Sequence, residues 1–137
     1  WLTANLFLAD VMLSVDDYSK AEDILERILP RVSQSGSPLL LVSKMQLLLA
    51  KLCVHTEKMQ EALTHLQLAR SGFERYQHVE MLMEVYHLEA LLHNHLGNIS
   101  QRDEAATRFR QYSCLKTNNK QPSFFTEIIS MFNKTPT

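Results

Sequence analysis

Glycine is scarce in this chain of 137 residues: three occur, with four prolines and two cysteines. So few glycines leave little for a phosphate-cradling loop, and no GxxxxGK[ST], GxGxxG or GxSxG occurs. Breakers and β-branched runs are both rare, so strands have little support and the chain reads as all-α. Cys53 and Cys114 are too few for a disulfide framework and favour a reducing compartment. Charge of one sign is lacking as well. Fourteen lysines and arginines face fifteen aspartates and glutamates, so no broad basic field exists to release counterions from nucleic acid. The local group Arg102, Arg108 and Arg110 reads as a solvated helix face. The longest apolar stretch, "PLLLVSKMQLLLAKLCV", is interrupted by Lys44 and Lys51, which marks an amphipathic core helix and not a membrane span.

Catalytic machinery is missing too. Six histidines occur, but His93 and His95 are two apart on a helix and point about 200° away from each other, so they cannot share a metal. "HLEALLH", His87 to His93, has neither the spacing nor the placed glutamate of HExxH. Cys53 follows Ala50 by three positions, on an inward face where a thiol behaves as a small hydrophobe. Cys114 is expected nearer the surface. No enzyme, cofactor, metal site or small-molecule substrate is expected. The triplets at Asn98 and Asn133 read as chance glycosylation matches. The chain opens on Trp1 rather than methionine, as a piece of a longer chain would.

What is present is a spacing. "ADVMLSVDDYSKA" and "AKLCVHTEKMQEA" share few letters, yet each runs from alanine to alanine over the same separation, Ala9 to Ala21 and Ala50 to Ala62. Alanine is the smallest good helix former and lets two helix backbones approach closely. Between the alanines lie the turn-like "SVDD" and "HTEK". After them Leu25 and Ile28, or Leu66 and Ala69, continue one apolar stripe. A third copy carries Ala90 and Ala105, with a turn, "LGNISQRDE", three residues longer. A period near 40 residues marks a solenoid of stacked units, and the small-large-small pattern resembles the tetratricopeptide repeat. The expected fold is all-α: three antiparallel helix pairs plus a C-terminal helix, with repeats at about 1–36, 37–77 and 78–115.

Along the chain, the first helix is expected over 2–14 with Trp1, Leu8 and Met12 inward, and Asp16 or Asp17 capping the second. The second runs to about Val32, with Pro30 kinking or shortening its end. "SQSGSP" is a loop, after which Ser37 caps and Pro38 opens a third helix reaching His55. A fourth helix starts near Glu57, with Gly72 an exposed cost of about 1 kcal/mol relative to alanine. The fifth covers about 78–95 and ends at Gly97 in the left-handed region. The sixth starts near Gln101.

Residues 116–137 read as a polar linker and a short amphipathic helix with Phe125, Ile128, Ile129 and Phe132 on one face. That face is expected to fold back on the sixth helix near Phe109 and Tyr112, capping the solenoid; docking on another subunit is the alternative. Reading one concave-groove position across the repeats selects Leu6, Leu47 and His87, and a second selects Asp10, Lys51 and Leu91. This lining suits a protein chain or helix better than a terminal carboxylate.

"ALLHNHLGNISQRDEAATRFRQ" resembles the closing repeat of the anaphase-promoting complex subunit 5 family, through Ala90, Leu92, Leu96, Gly97, Arg102, Ala106, Phe109, Arg110 and Gln111. The likeness covers residues 40–112 well and 1–40 loosely. It implies a non-catalytic scaffold in a ubiquitin ligase controlling mitotic exit, located in nucleus and cytoplasm, with other protein subunits as partners and no nucleic acid or membrane. A free-standing adaptor that binds peptides reversibly in its groove is the other reading.

Overall fold

A computed structural model of the chain describes residues 1–34, 36 and 38–119, the side chains of 33, 34 and 117–119 excepted. Among these residues there are six helices and no strand: α1 (Leu2–Ser14), α2 (Tyr18–Gln34), α3 (Leu39–His55), α4 (Met59–Arg75), α5 (Val79–Leu96) and α6 (Ile99–Asn119). Consecutive helices pack most extensively as α1 with α2, α3 with α4, and α5 with α6; α3 also meets α1 and α2, and α4 meets α5. No helix of the described residues is long and apolar enough to cross a membrane.

Four of the turns repeat one backbone motif. Asp16, Glu57, Gln77 and Gly97 each take positive φ, between 51° and 79°. In each turn the following residue donates its N–H back five positions: Asp17 to Met12, Lys58 to Cys53, His78 to Phe73 and Asn98 to His93, at 2.8–2.9 Å. This pairing satisfies carbonyls that a helix end leaves open. Ala9, Ala50 and Ala90 each stand seven residues before such a turn residue, which explains why a spacing recurs without a shared sequence. Asp17 also accepts a hydrogen bond from the Lys20 N–H at 3.3 Å, at the start of α2.

The core has two clusters that meet at α3. Leu6, Ala9 and Leu13 of α1 bury with Leu25, Ile28 and Val32 of α2 and with Met45 and Leu48 of α3. Leu47 and Ala50, on the other side of α3, bury with Leu66 and Phe73 of α4 and Leu82 and Val85 of α5. The apolar run in α3 is thus the consequence of facing two helix pairs at once.

Several expectations need correction. Trp1 and Leu8 are exposed, and Met12 is half-buried; the inward stripe of α1 is Leu6, Ala9 and Leu13. Because α1 is apolar nearly all round, periodicity could not select its face. α2 passes Pro30 and ends at Gln34, carried by burial of Val32. Pro38 is the residue before α3 rather than inside it, and the Ser37 cap lies outside the described residues. Gly72 is buried, not exposed. α6 begins at Ile99, so the third turn is no longer than the others, and Lys116 to Asn119 continue the helix instead of starting a linker.

That start changes the third register. Five residues after the positive-φ position come Ala21, Ala62 and, in α6, Arg102. Arg102 is half-exposed and donates to Asn94 Oδ1 at 2.8 Å. Ala105 lies almost one helical turn further on and is buried at 4% exposure. Of the remaining alanines, Ala9, Ala21, Ala50 and Ala62 have no exposed surface, and Ala90 is half-buried against the core.

Candidate interaction groove

α1, α3 and α5 border a groove of about 200 Å³. Its floor is Leu6, Leu47 and Leu48, all 5% exposed or less. These leucines are held there by the core they share with α2 and α4. Phe7 stands on the rim at 71% exposure, with half-buried Leu41 and Met81 opposite.

Lys51 closes one end. Its ammonium reaches Asp10 of α1 at 3.5 Å and pairs with Glu84 of α5. One cation thereby joins three helices that are not consecutive in sequence. Lys51 is about one quarter exposed, so the charges are partly screened and the pairing orients the helices more than it stabilises them. Lys44 also lines the groove, and it has no ion-pair partner among the described residues.

The structure brings together Leu6, Asp10, Leu47 and Lys51, but not His87 or Leu91. In their place α5 contributes Met81 and Glu84. Lys51 meets Glu84, 33 positions on, whereas the alanine spacing pointed 40 positions on, to Leu91. His87 instead faces Phe109 of α6, with ring centroids 5.8 Å apart, and Leu91 is 54% exposed. Phe125, Ile128, Ile129 and Phe132 lie outside the described residues.

A second constellation, between α4 and α5, escaped the sequence reading. Glu89 is buried, and both its carboxylate oxygens accept from Arg70 Nη1, at 3.2 and 3.0 Å. The Tyr86 hydroxyl donates to Glu74 Oε1 at 2.9 Å, and the Tyr86 ring stacks on Tyr112 of α6 with centroids 5.7 Å apart. Burial pushes the Glu89 carboxyl above the usual carboxylate range, with Arg70 opposing the rise and Glu74 and Glu104 adding to it. Burial and the Glu74 hydrogen bond push the Tyr86 phenol up. These groups engage one another and fix α4 against α5. A signal existed: Glu89 interrupts the stripe Leu82, Val85, Tyr86, Leu92, and Arg70 flanks the stripe Leu66, Ala69, Phe73.

Among the described residues no group of histidine, cysteine and carboxylate side chains could hold a metal. Cys53 is half-buried against the core, and burial raises its thiol pKa; Cys114 is exposed. His93 Nδ1 lies 3.3 Å from Asn98 Nδ2, at the cap of α5, whereas His95 is exposed.

A helical chain with this paired core matches one family description. The model of the suppressor of spindle checkpoint defect 1 C-terminal domain matches residues 7–123. The chain belongs to that family. No curated protein and no solved structure matches it.

The family match corrects the resemblance drawn from the sequence. It is not a match to anaphase-promoting complex subunit 5, and it supports neither that complex nor the tetratricopeptide label. The residues that carried the likeness have general duties: Gly97 supplies the left-handed turn, Leu92 is core, Phe109 packs on α5, and Arg110 and Gln111 are solvated.

Proposed function

We propose that the chain is a non-catalytic protein-protein interaction scaffold, a solenoid of helix pairs whose α1, α3 and α5 face receives a segment of another protein subunit. The observation that carries this reading is the groove itself. Three helices from three successive pairs contribute to one apolar notch, its rim includes an aromatic ring that is 71% exposed, and a shared lysine sets its geometry. Large apolar side chains at the centre of an interface, ringed by charge, are the usual seat of binding energy. The family's description supports a role in the spindle checkpoint. In this reading the scaffold works in nucleus and cytoplasm within a larger protein assembly. It takes no nucleic acid, membrane, cofactor or small-molecule substrate, and catalysis belongs to other chains.

The test is to purify the full-length natural protein from cells and identify its stable partners, beside a variant carrying Phe7→Glu and Met81→Glu. A stable complex that the variant loses, while keeping its thermal unfolding transition, supports the scaffold. A monomer with no partner refutes it. A partner that dissociates on dilution replaces it with a reversible adaptor.

A further inference from the structure

We propose that the α1–α2 end of the molecule docks on the same end of a second copy, so that the chain forms a reversible two-fold dimer through α1. Three observations carry this. The first is a register. Counted back from the turn residues Asp16, Glu57 and Gly97, Leu8 and Val11 of α1 stand where α3 has Leu49 and Leu52 and where α5 has Glu89 and Leu92. Leu49 and Leu52 pack on the cluster of α1 and α2; Glu89 is buried against Arg70 of α4, and Leu92 belongs to the core that α5 shares with α3 and α4. In both helices these positions are covered by the pair that comes before. On α1 the same stripe is open, with Leu8 41%, Trp1 57% and Val15 63% exposed.

The second observation is the α5–α6 end. Leu6, Leu13 and Ala21 belong to the cluster that the first pair shares with α3, and Leu47, Val54 and Ala62 repeat them in the second pair. Their counterparts in the third pair are His87, Asn94 and Arg102, of which His87 and Asn94 are exposed. A polar outer face is what closes a stack of helix pairs. This end therefore offers α1 no aliphatic seat, which excludes head-to-tail stacking and leaves the contact of like with like.

Charge supplies the third. α1 carries one charged side chain, Asp10, which faces Lys51 on the groove side and not the open stripe. Beside the stripe α2 presents Lys20, Asp23, Arg27 and Arg31. Lys20 is bridged to Asp17 at 3.7 Å, and the Arg31 guanidinium lies 4.3 Å over the Trp1 ring. Asp23 and Arg27 have no ion-pair partner among the described residues. One acid and one base remain, and a two-fold axis sets Asp23 of each copy against Arg27 of the other. The Trp1 amino groups fall at opposite ends of the two antiparallel α1 helices. A face two helices wide and about 20 Å long is small for an interface, so the dimer is reversible rather than obligate.

The experiment is sedimentation velocity of the full chain across the micromolar range. A monomer–dimer equilibrium is expected, with no larger species. Leu8→Glu weakens it at least tenfold while the thermal unfolding transition is kept, because Leu8 is already half-exposed in one copy. Met81→Glu, on the groove, leaves it unchanged. Asp23→Arg and Arg27→Asp each weaken the dimer severalfold alone, and an equimolar mixture of the two variants recovers it, since each then meets the opposite sign. A monomer at every concentration, assemblies that grow beyond two copies, a dimer lost with Met81→Glu or kept with Leu8→Glu, or a mixture that fails to recover would each overturn the proposal. No partner protein is present, so these outcomes are separate from the partner test above.

Discussion

Replacing Gly72 by alanine would ordinarily stabilise a helix by about 1 kcal/mol, because alanine has the higher propensity. Here the opposite is expected. A Cβ on Gly72 would overlap Ser43 Oγ and stand 2.9 Å from Ser43 Cβ. Ser43 is itself buried at 1% exposure, and its hydroxyl is committed to the Leu39 carbonyl at 2.9 Å. Rotating the hydroxyl away would relieve the first contact and break that hydrogen bond. It would not relieve the second, because Ser43 Cβ moves only with the backbone of α3. The two helices must therefore separate, at the 1–3 kcal/mol typical of overpacking, and the upper half of that range applies. Subtracting the propensity gain leaves Gly72→Ala destabilising by about 1–2 kcal/mol. The control is Ser43→Gly, which removes both clashing atoms; in that background Gly72→Ala should become neutral or stabilising. Urea unfolding of the four proteins, with the slope unchanged, measures the coupling. Equal effects of Gly72→Ala in both backgrounds, or stabilisation of the parent chain, would refute the close approach of α3 and α4.

Arg70→Ala should destabilise by about 3 kcal/mol near neutral pH, because it leaves Glu89 buried without its counter-charge, and by less in acid, where Glu89 is protonated. The Glu89 carboxyl is raised in the fold. Between the usual carboxylate range and that raised value, the folded chain keeps a proton the unfolded chain has lost, so this group's stability contribution falls as pH rises through the window. Denaturant titrations across that window should show a flatter profile for Glu89→Gln. Gly97→Ala should cost about 1 kcal/mol purely from its positive φ, since the new methyl meets nothing within 4 Å; a melting temperature unchanged by the substitution would contradict the turn assignment.

The helices and their pairing follow from local chemistry. Alanine stripes, the near absence of strand formers and the position of Gly97 each act within a few residues of themselves, so their effect can be read one segment at a time. Asp16, Glu57 and Gln77 show the limit: they occupy the same left-handed turn position as Gly97 without being glycine. Aspartate is among the residue types that tolerate this region, but the side chains of Glu57 and Gln77 carry no mark of it, because the turn is imposed by the helices on either side.

The spacing of small residues was determined by the sequence, and it constrained where helices could cross. Which residues meet across those crossings was decided by tertiary structure. Ser43 explains Gly72 only once α4 lies on α3, and Arg70 explains Glu89 only once α4 lies on α5. The groove likewise takes Met81 and Glu84 rather than His87 and Leu91, because the long side chains of Lys51 and Glu84 join positions that the alanine register does not set side by side. A one-dimensional repeat specifies which face a side chain occupies, but the axial offset between helices comes from how whole side-chain surfaces interlock, and no single helix contains that information.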